Sequence, residues 1–337
     1  MEPQENIYNM NHTDPADESV RTDLSALKDA VARVRTEIAK VIVGQPQMID
    51  LLLAAILADG HALIEGVPGV AKTLTAKLLA KCIDADFSRI QFTPDLMPSD
   101  VLGTSIFNPQ TASFQYRKGP VFSNIVLIDE INRSPAKTQA ALFEVMEEKQ
   151  VTADGVTYLM AQPFLVLATQ NPIEHEGTYR LPEAQLDRFL FKIEIAYPSL
   201  QEEVQILQHV HEGKMSGQFD LVQKVITAQE IEQYRKQVSS LYIEQKVMEY
   251  IAQIIHETRN NKALFLGASP RASVAVLKTS KAIAAMQGRD FVIPDDVVAV
   301  VPHVLRHRIL LTPEKEMEGT RPDEIIQAIL KRIEVPR

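Results

Sequence analysis

The sequence predicts an α/β fold, with a doubly wound parallel sheet followed by a smaller all-helical domain. Between residues 61 and 197, short runs of consecutive apolar residues alternate with segments of helical periodicity. Strands that are apolar on both faces are typical of a parallel sheet covered by helices on each side. After Pro198 the strand-like runs stop, and the periodic segments have the helical spacing of three and four residues. A ligand of such a sheet is expected at the carboxyl ends of its strands.

Composition sets the broad class of protein. The 337 residues suffice for two domains, and 45% hydrophobic with 23% charged residues is ordinary for a globular chain. The net charge of −9 argues against a broad basic surface for nucleic acid, although a local basic channel is compatible with it. The single cysteine, Cys82, excludes an internal disulfide and is expected to be a buried core thiol. Because no signal peptide and no apolar run near the ~20 residues of a membrane span are present, we expect a cytoplasmic protein without a membrane span.

Three regions are predicted along the chain. Residues 1–22 are expected to form a disordered acidic tail, with five acids and no Lys or Arg before Arg21. Residues 23–200 are expected to form the α/β domain, and residues 201–337 the helical domain. The α/β domain begins with an amphipathic helix, followed after Gly44 by a second helix, and continues with strands. The predicted strands are HALIEG (61–66), FSRIQF (87–92), NIVLIDE (124–130), FLVLATQN (164–171) and FLFKIEIAY (189–197).

The loop GVPGVAKT follows the first strand and approximates the phosphate-binding pattern G-x-x-x-x-G-K-[ST], with Ala71 in place of the second glycine. A helix follows it, so backbone N–H groups and a helix N-terminus would face phosphate oxygens. Lys72 is predicted to reach the β and γ phosphates of ATP, and Thr73 to ligate Mg²⁺. A methyl group at position 71 is expected to cost little, on condition that its φ is negative. An ordinary strand-turn-helix connection is the alternative. The nucleotide-binding residues predicted here are Gly66, Val67, Pro68, Gly69, Val70, Ala71, Lys72, Thr73 and Leu74.

Two acids end the apolar run IVLIDE. A carboxylate at Asp129 would hold Mg²⁺ through water, and Glu130 would polarise an attacking water. The alternative is a strand that ends in two solvated acids. That arrangement is common by itself but uncommon at this distance after a glycine-Lys-Thr loop, so the pair supports a site that hydrolyses ATP.

Taken together, the motifs resemble the MoxR family of AAA+ ATPases. The match extends from about Val43 to the C-terminus. Members of that family commonly carry alanine where the general loop has its second glycine, so Ala71 is consistent with a functional loop. The resemblance implies an AAA+ P-loop core followed by a helical lid, with ATP and Mg²⁺ as cofactors. The segments that carry it are GVPGVAKT, VLIDEINRSP, KQVTADGVTY, FLVLATQNP, EGTYRLPEAQLDRF and GASPRAS.

The resemblance also implies roles at the edges of the nucleotide. Val43 and Gly44 match the segment that borders the adenine. Asn171 matches sensor 1, a polar side chain that orients the attacking water against the γ-phosphate. Since Asn-Pro is also a good turn former, a purely structural role for Asn171 is the alternative. Its place at the end of a buried strand favours the sensor.

Three arginines are further candidates by resemblance. Arg188 resembles the arginine finger, a cation that stabilises transition-state charge on the ATP of a neighbouring subunit. Arg180 lies in the same loop and is a second candidate. A surface salt bridge with Asp187 or Glu183 is the alternative for Arg188. Arg271 matches sensor 2, aimed at phosphate from the start of a lid helix, and an ordinary exposed arginine is the alternative.

Two segments resemble parts of the family that face a client. KQVTADGVTYLM contains an Asp-Gly turn between β-rich runs and resembles the hairpin that precedes sensor 1 and points to the ring's pore. Residues 102–122 resemble the insertion in helix 2 that marks this AAA+ clade. Phe107, Phe114 and Tyr116 in that insertion could contact a client or pack locally, and the residues themselves do not distinguish the two.

The expected function is therefore Mg²⁺-dependent ATP hydrolysis by a homo-oligomeric, hexameric ring that remodels protein partners. The resemblance implies chaperone-like insertion of cofactors or metals into client complexes, together with partners that bear von Willebrand factor A domains. The identity of the client does not follow from the residues.

Two other functions are weighed against this one. A nucleic-acid motor is the chief alternative, because the same clade includes helicases and because Lys149, Arg117 and Lys118 are basic residues near the hairpin and the insertion. The acidic net charge and the absence of an appended DNA-binding module argue against it, and we expect no nucleic-acid partner. The second alternative is a scaffold that binds nucleotide without hydrolysis, and the complete set of catalytic residues argues against it.

Overall fold

The structure, a computed structural model, describes residues 22–67, 69–171, 181–212 and 218–336. Strands and helices alternate up to residue 200, and helices predominate after it. The strands are β1 (Ala62–Gly66), β2 (Phe87–Gln91), β3 (Gly103–Asn108), β4 (Ser113–Lys118), β5 (Ile125–Asp129), β6 (Gln150–Ala153), β7 (Val156–Leu159), β8 (Leu165–Gln170), β9 (Phe191–Ile195), β10 (Leu264–Leu266) and β11 (Leu310–Leu311). The helices are α1 (Ser25–Ala39), α2 (Pro46–Leu57), α3 (Lys72–Cys82), α4 (Pro98–Leu102), α5 (Ala136–Glu148), α6 (Glu183–Leu186), α7 (Leu200–His211), α8 (Gln218–Leu221), α9 (Ala228–Ser240), α10 (Gln245–Asn260), α11 (Pro270–Met286), α12 (Pro294–Leu305), α13 (Pro313–Met317) and α14 (Pro322–Arg332).

A parallel five-stranded sheet in the order β2-β5-β8-β1-β9 forms the centre of the α/β segment. All four strand pairs are parallel. The register pairs Gln91 with Asp129 and Glu65 with Gln170, so these strands end at one edge of the sheet. The doubly wound α/β fold predicted from the apolar runs is confirmed, and the loops that follow β1, β5 and β8 meet at that edge.

The continuous apolar runs are explained by burial on both faces of the sheet. Leu63 and Ile64 are adjacent in β1 and fully buried, yet they belong to two different hydrophobic clusters. Successive side chains of a strand point to opposite faces, so each cluster covers one face. On the first face lie α1, α2 and α3, and on the second lies α5. Cys82 is a fully buried thiol in the first cluster, where burial raises its pKa to about 12.

The helices after residue 200 share the first hydrophobic cluster with the α/β segment. Helices α9 and α11 pack on α2, and α11 also packs on α1. The domain boundary near residue 200 stays a prediction, because this shared core runs across it. The short antiparallel pair of β10 and β11 lies within the helical region and was not predicted. Strands of three and two residues are too short to show a period in the sequence.

A buried arginine fastens the helical region to the sheet. The Arg308 guanidinium donates to the Phe189 and Leu190 carbonyls and to the Asp187 carboxylate, with the Nε to Oδ1 distance at 2.7 Å. His307 contacts the same Phe189 carbonyl at 2.9 Å. The segment that carries both residues follows α12, so these bonds hold the end of that helix against the start of β9.

Two antiparallel hairpins project from the α/β segment. Strands β6 and β7 pair across Asp154 and Gly155, whose φ angles of 50° and 75° are those of a tight hairpin turn. Strands β3 and β4 form the second hairpin within the expected insertion. Tyr116 stacks on Tyr158 with ring centroids 4.7 Å apart, so this aromatic joins the hairpins by local packing. Phe107 and Phe114 of the insertion contact each other and stay exposed.

His61 is a buried histidine whose protonation should couple stability to pH. Its Nδ1 accepts from the Val166 N–H at 3.0 Å, and its Nε2 donates to the Met146 carbonyl at 3.1 Å, so the ring is neutral. Burial lowers its pKa to about 4 from an ordinary 6.5. The unfolded chain therefore binds a proton that the folded chain excludes, and stability falls as pH drops from 6.5 to 4.

We expect the free energy of unfolding to fall by about 3 kcal/mol over this range from His61 alone. His303, whose pKa burial also lowers to about 4, adds to the same loss. Urea unfolding at pH 7, 6 and 5 measures it. His61→Asn keeps a hydrogen-bonding amide that does not titrate, so its stability should depend less on pH. Equal pH dependence in the two proteins would contradict the assignment.

Candidate nucleotide site

A cavity of about 380 Å³ lies at the carboxyl edge of the sheet, where the sequence predicts the ligand. It brings together the glycine loop, both acids after β5 and the polar residue after β8. Pro68 and Arg180, two of the predicted site residues, lie outside the described residues. The cavity is lined by Gly69, Ala71, Lys72, Thr73, Leu74, Arg89, Gln91, Asp129, Glu130, Thr169 and Asn171.

The glycine loop leaves open space where phosphate is expected. Gly69 has φ +89°, and a Cβ built there would meet nothing within 4 Å. Gly66 is confined instead, because a Cβ there would lie 3.1 Å from the Ile195 Cβ. Glycine at position 69 thus suits a positive φ, and glycine at position 66 allows close packing against Ile195.

The backbone conformation of Ala71 differs from the one predicted from the sequence. Its φ is +58° and its ψ 20°, in the left-handed region rather than at a negative φ. For a residue with a Cβ this conformation costs about 1 kcal/mol. Two hydrogen bonds hold it, because the Ala71 carbonyl accepts from the Thr75 N–H at 2.9 Å and from the Thr75 hydroxyl at 3.0 Å. The alanine is therefore a strained N-cap of α3, and the glycine of the general pattern would relieve that strain.

Lys72 bonds to its own loop. Its Nζ donates to the Gly66 carbonyl at 2.5 Å, across the mouth of the open space. Burial lowers the pKa of Lys72, and the nearby Asp129 and Glu130 carboxylates oppose that effect. The ammonium is thus a partly desolvated cation with a replaceable neutral partner.

Asp129 is buried and has a partner on each oxygen. The Thr169 hydroxyl donates to Oδ1 at 3.1 Å, and Arg89 Nε donates to Oδ2 at 2.6 Å. The Thr169 hydroxyl also accepts from the Glu130 N–H at 3.0 Å. Thr169 and Arg89 were missed by sequence reasoning. Arg89 was hidden in the FSRIQF strand, whose pairing with β5 only the strand order reveals.

Glu130 sits just beyond β5 with a left-handed φ of +57°. Its Oε2 accepts from Gln91 Nε2 at 2.9 Å and from Arg133 Nη1 at 3.0 Å. Among the described residues, Oε1 has no hydrogen-bond partner. The carboxylate is therefore anchored by one oxygen, while the other can accept a proton. Gln91 and Arg133 are further residues that sequence reasoning missed.

Val43 and Gly44 lie at a separate small cavity. Val43 and Ile195 both line this space of about 230 Å³. Gly44 has φ +72°, and a Cβ there would collide with the Glu202 carboxylate. Because Ile195 also touches Gly66, this cavity borders the glycine loop from the side of β9. That position suits the base of a nucleotide whose phosphates lie in the loop.

Arg188 and Arg271 do not line the phosphate cavity. Both bind Glu147 at the end of α5, Arg188 Nη1 at 3.1 Å from Oε2 and Arg271 Nη2 at 3.3 Å from Oε1. They share a cavity of about 290 Å³ with Gly60 and His61, which precede β1. They therefore lie at the amino edge of the sheet. Strand β1 separates this edge from the glycine loop by about 15 Å.

Asp187, the partner weighed for Arg188, is occupied by other groups. It accepts from Arg308 and from the Ser269 hydroxyl, whose Oγ lies 3.2 Å from Oδ2. Arg188 pairs instead with Glu147 and donates to the Phe143 carbonyl at 3.1 Å. The salt bridge with Asp187, weighed as the alternative for Arg188, is thus not formed, and Arg188 pairs with Glu147 of α5 instead.

Known proteins match this chain over most of its length. The model of the AAA family, the ATPase family associated with various cellular activities, matches residues 61–191, and the AAA lid domain matches residues 256–329. The protein YeaC of Bacillus subtilis is 48% identical, over 89% of this chain and 92% of the relative. Chaperone MoxR1 of Mycobacterium tuberculosis is 41% identical, over 93% and 84%. Protein MoxR of Methylorubrum extorquens is 31% identical, over 93% and 97%.

The chain belongs to the MoxR family of AAA+ ATPases. A solved structure from Cytophaga hutchinsonii is similar throughout, with a TM-score of 0.85 and 43% identity, and covers 93% of this chain and 97% of that one. The family identifies the chain as an ATP hydrolase with an α/β core and a helical lid. In the parts of the MoxR-type chain that the structure describes, helices are too short or too polar to cross a bilayer.

The Thr169 hydroxyl is expected to support both acids of this MoxR-type site. Thr169→Val removes the donor to the buried Asp129 and leaves the partly buried Glu130 N–H without an acceptor. We expect a loss of ~1–3 kcal/mol in the free energy of unfolding, together with slower ATP hydrolysis. Thr169→Ser keeps the hydroxyl and is the matched control. Urea unfolding and steady-state ATPase rates measure both effects, and equal behaviour of the two variants would contradict this role.

Proposed function

We propose that this chain is a Mg²⁺-dependent ATPase that works as a homo-oligomeric, hexameric ring and remodels protein complexes. The observation that carries the proposal is the division of the catalytic groups between two edges of one sheet. Lys72, Asp129 and Glu130 converge at the carboxyl edge, and two arginines lie at the amino edge. A complete site then needs two subunits.

The residues at the carboxyl edge fit ATP and Mg²⁺. The loop offers open space at Gly69, and Lys72 can exchange the Gly66 carbonyl for a phosphate oxygen. Thr73 and Asp129 supply the oxygen ligands that Mg²⁺ prefers. Since both Asp129 oxygens already accept hydrogen bonds, this carboxylate suits a contact through water. When bound, Mg²⁺ would neutralise charge on the transferred phosphoryl group.

The chain's own residues supply proton transfer and orientation. Glu130 is held through Oε2 by Gln91 and Arg133, and its Oε1 accepts the proton of the attacking water. Asn171 lines the same cavity after β8 and orients that water. The buried Thr169 keeps both acids in register through its single hydroxyl. Val43 and Gly44 border the base.

The two arginines act on the nucleotide of a neighbour in this proposal. With a strand length between them and their own loop, Arg188 and Arg271 cannot contact the ATP of their own subunit in this arrangement. Their shared partner, Glu147, holds them side by side. A sensor 2 arginine that acts within its own subunit would contact that subunit's nucleotide. Arg271 differs, because its lid helix places it beside Arg188, the proposed arginine finger.

The choice of client rests on the family. A relative named as a chaperone supports a chaperone-like role on protein complexes. Insertion of cofactors or metals, and partners with von Willebrand factor A domains, are proposed from the family resemblance alone. A cytoplasmic location belongs to the same proposal. A nucleic-acid motor is less well supported, because Lys149 is paired with Asp59 and Lys118 covers the Phe122 ring. The net charge of −9 points the same way.

Glu130→Gln should bind ATP and barely hydrolyse it, because the amide keeps shape and hydrogen bonding but does not act as a base. A general base contributes at least ~10²-fold, so turnover should fall by that factor. Lys72→Ala is the contrasting variant and should lose ATP binding itself. Calorimetric titration with ATP and single-turnover hydrolysis separate the two effects. Turnover within about tenfold of the parent would exclude Glu130 as the base.

Arg188→Ala should bind ATP yet hydrolyse it slowly at every protein concentration, since a trans-acting arginine is worth ~10³ or more in rate. In the parent, specific activity should rise with protein concentration as rings form. Mixing Arg188→Ala with Glu130→Gln should restore part of the activity, because a Glu130→Gln neighbour lends its arginine to a subunit with an intact base. Steady-state assays over a concentration series measure this. Normal turnover by Arg188→Ala alone would refute the finger.

A further inference from the structure

A second cavity at the amino edge is built largely from cations. Its volume is about 600 Å³, and it lies between the ends of α2 and α5 and the lid helices α9 and α11. We name it the lysine cavity. Its charged lining residues are Asp59, Lys149, Glu232, Arg235, Lys236, Lys278 and Lys281. Five cations thus face two acids in a chain whose net charge is −9.

The two acids are already neutralised by two of the cations. Arg235 pairs with Glu232 at 2.7 Å and with Asp59 at 3.1 Å, and Lys149 also pairs with Asp59. The Arg235 Nε donates to the Ile56 carbonyl at 2.8 Å. Both carboxylates of the cavity are thus ion-paired, although Asp59 Oδ1 accepts no hydrogen bond from the described residues. The charges of the three remaining lysines are therefore uncompensated.

Those three lysines lack acidic partners within the described part of the chain. Lys281 Nζ donates to the neutral Ser239 carbonyl at 2.8 Å, and burial lowers its pKa. The ammonium groups of Lys236 and Lys278, both exposed residues, make neither an ion pair nor a hydrogen bond with the described residues. Like charges that converge without a counter-ion repel one another, so an anion that enters the cavity would be stabilised by all three.

Arg235 adds a buried donor without an acceptor. The residue is 9% exposed, and its Nη2 has no hydrogen-bond partner among the described groups. Buried guanidinium N–H groups are normally hydrogen-bonded, so an unsatisfied one is unusual and destabilising. An oxygen-rich ligand beside Arg235 could provide the missing acceptor after a small side-chain shift.

Most of the uncharged lining is apolar, with Gln162 and Ser239 as its polar residues. Leu57, Ala58, Val238 and Leu277 form the walls between the cations. A site that serves only inorganic anions has no use for such walls, whereas an ester with an organic part would bury apolar surface against them. We propose that the lysine cavity binds a small organic phosphate ester, at a site separate from the glycine loop.

The test uses a host whose ATP loop is disabled, so that a phosphate probe reports the lysine cavity. The full chain with Lys72→Ala is titrated with 1-naphthyl phosphate, and naphthyl fluorescence is followed. The chain has no tryptophan, so the probe signal is read without that background. We expect saturable binding that weakens with added salt. Absence of binding overturns the proposal, and it leaves the proposed ATPase function untouched because parent hydrolysis is assayed separately.

Matched lysine variants in the same host locate the probe. Lys236→Met, Lys278→Met and Lys281→Met each remove one charge at similar volume, and each should weaken binding by about fivefold. Lys331→Met makes the same change at an exposed site on α14 and should leave binding unaltered. If the triple lysine variant binds as tightly as the host, the cavity is not the site and the proposal fails.

Two competitor arms decide the chemistry of the ligand. 1-Naphthol, which lacks the phosphate, should bind far more weakly than the ester. Inorganic pyrophosphate should displace the ester only at higher concentration, because it has no apolar part. Equal binding of naphthol would overturn the anionic assignment. Displacement by pyrophosphate at the concentration of the ester itself would overturn the organic one.

Discussion

Parallel pairing of the five central strands is the constraint on which the site depends. Because β1, β5 and β8 all run in one direction, each delivers its following loop to the same edge. The glycine loop, the two acids and Asn171 are distant in the chain and meet because these strands are parallel. The same pairing puts the segments before the strands at the opposite edge. There, residues 57–61 meet the end of α5 and the helices of the lid.

At the carboxyl edge, one neutral hydroxyl organises two acids. Thr169 is fully within β8, and its Oγ1 donates to Asp129 while accepting from the Glu130 backbone. Arg89 on β2 neutralises Asp129 from the other side. A buried carboxylate without such partners would be costly, so these neighbours supply a donor to each oxygen and fix its orientation. The left-handed Glu130 then turns the chain so that its side chain returns to the cavity.

Much of this arrangement was predictable from the sequence, and the features that were missed depend on contacts between distant segments or on local strain. Apolar runs, the glycine loop and the acids after β5 are local patterns, and they predicted the sheet and the cavity. Arg89, Gln91 and Thr169 act across neighbouring strands, so their roles depend on the strand order β2-β5-β8, which no local pattern contains. The positive φ of Ala71 was not predicted because its strain is offset by the hydrogen bonds from Thr75 in the next turn of the helix. The position of Arg271 at the amino edge depends on how the lid packs, which periodicity does not specify.

Helix α11 contributes side chains to both cavities at the amino edge of the sheet. Arg271 lies at its start, and Lys278 and Lys281 follow seven and ten residues later, which places all three along one side of the helix. Ten residues of helix span about 15 Å. One helix therefore presents cations both to the cavity that Arg188 and Arg271 share and to the lysine cavity. The buried face of α11 packs on α1 and α2, which fixes its position against the core. The cations at the two cavities are therefore held at a fixed spacing by one helix. The acidic chain thus concentrates positive charge on the edge where, in the proposed ring, a neighbouring nucleotide would bind.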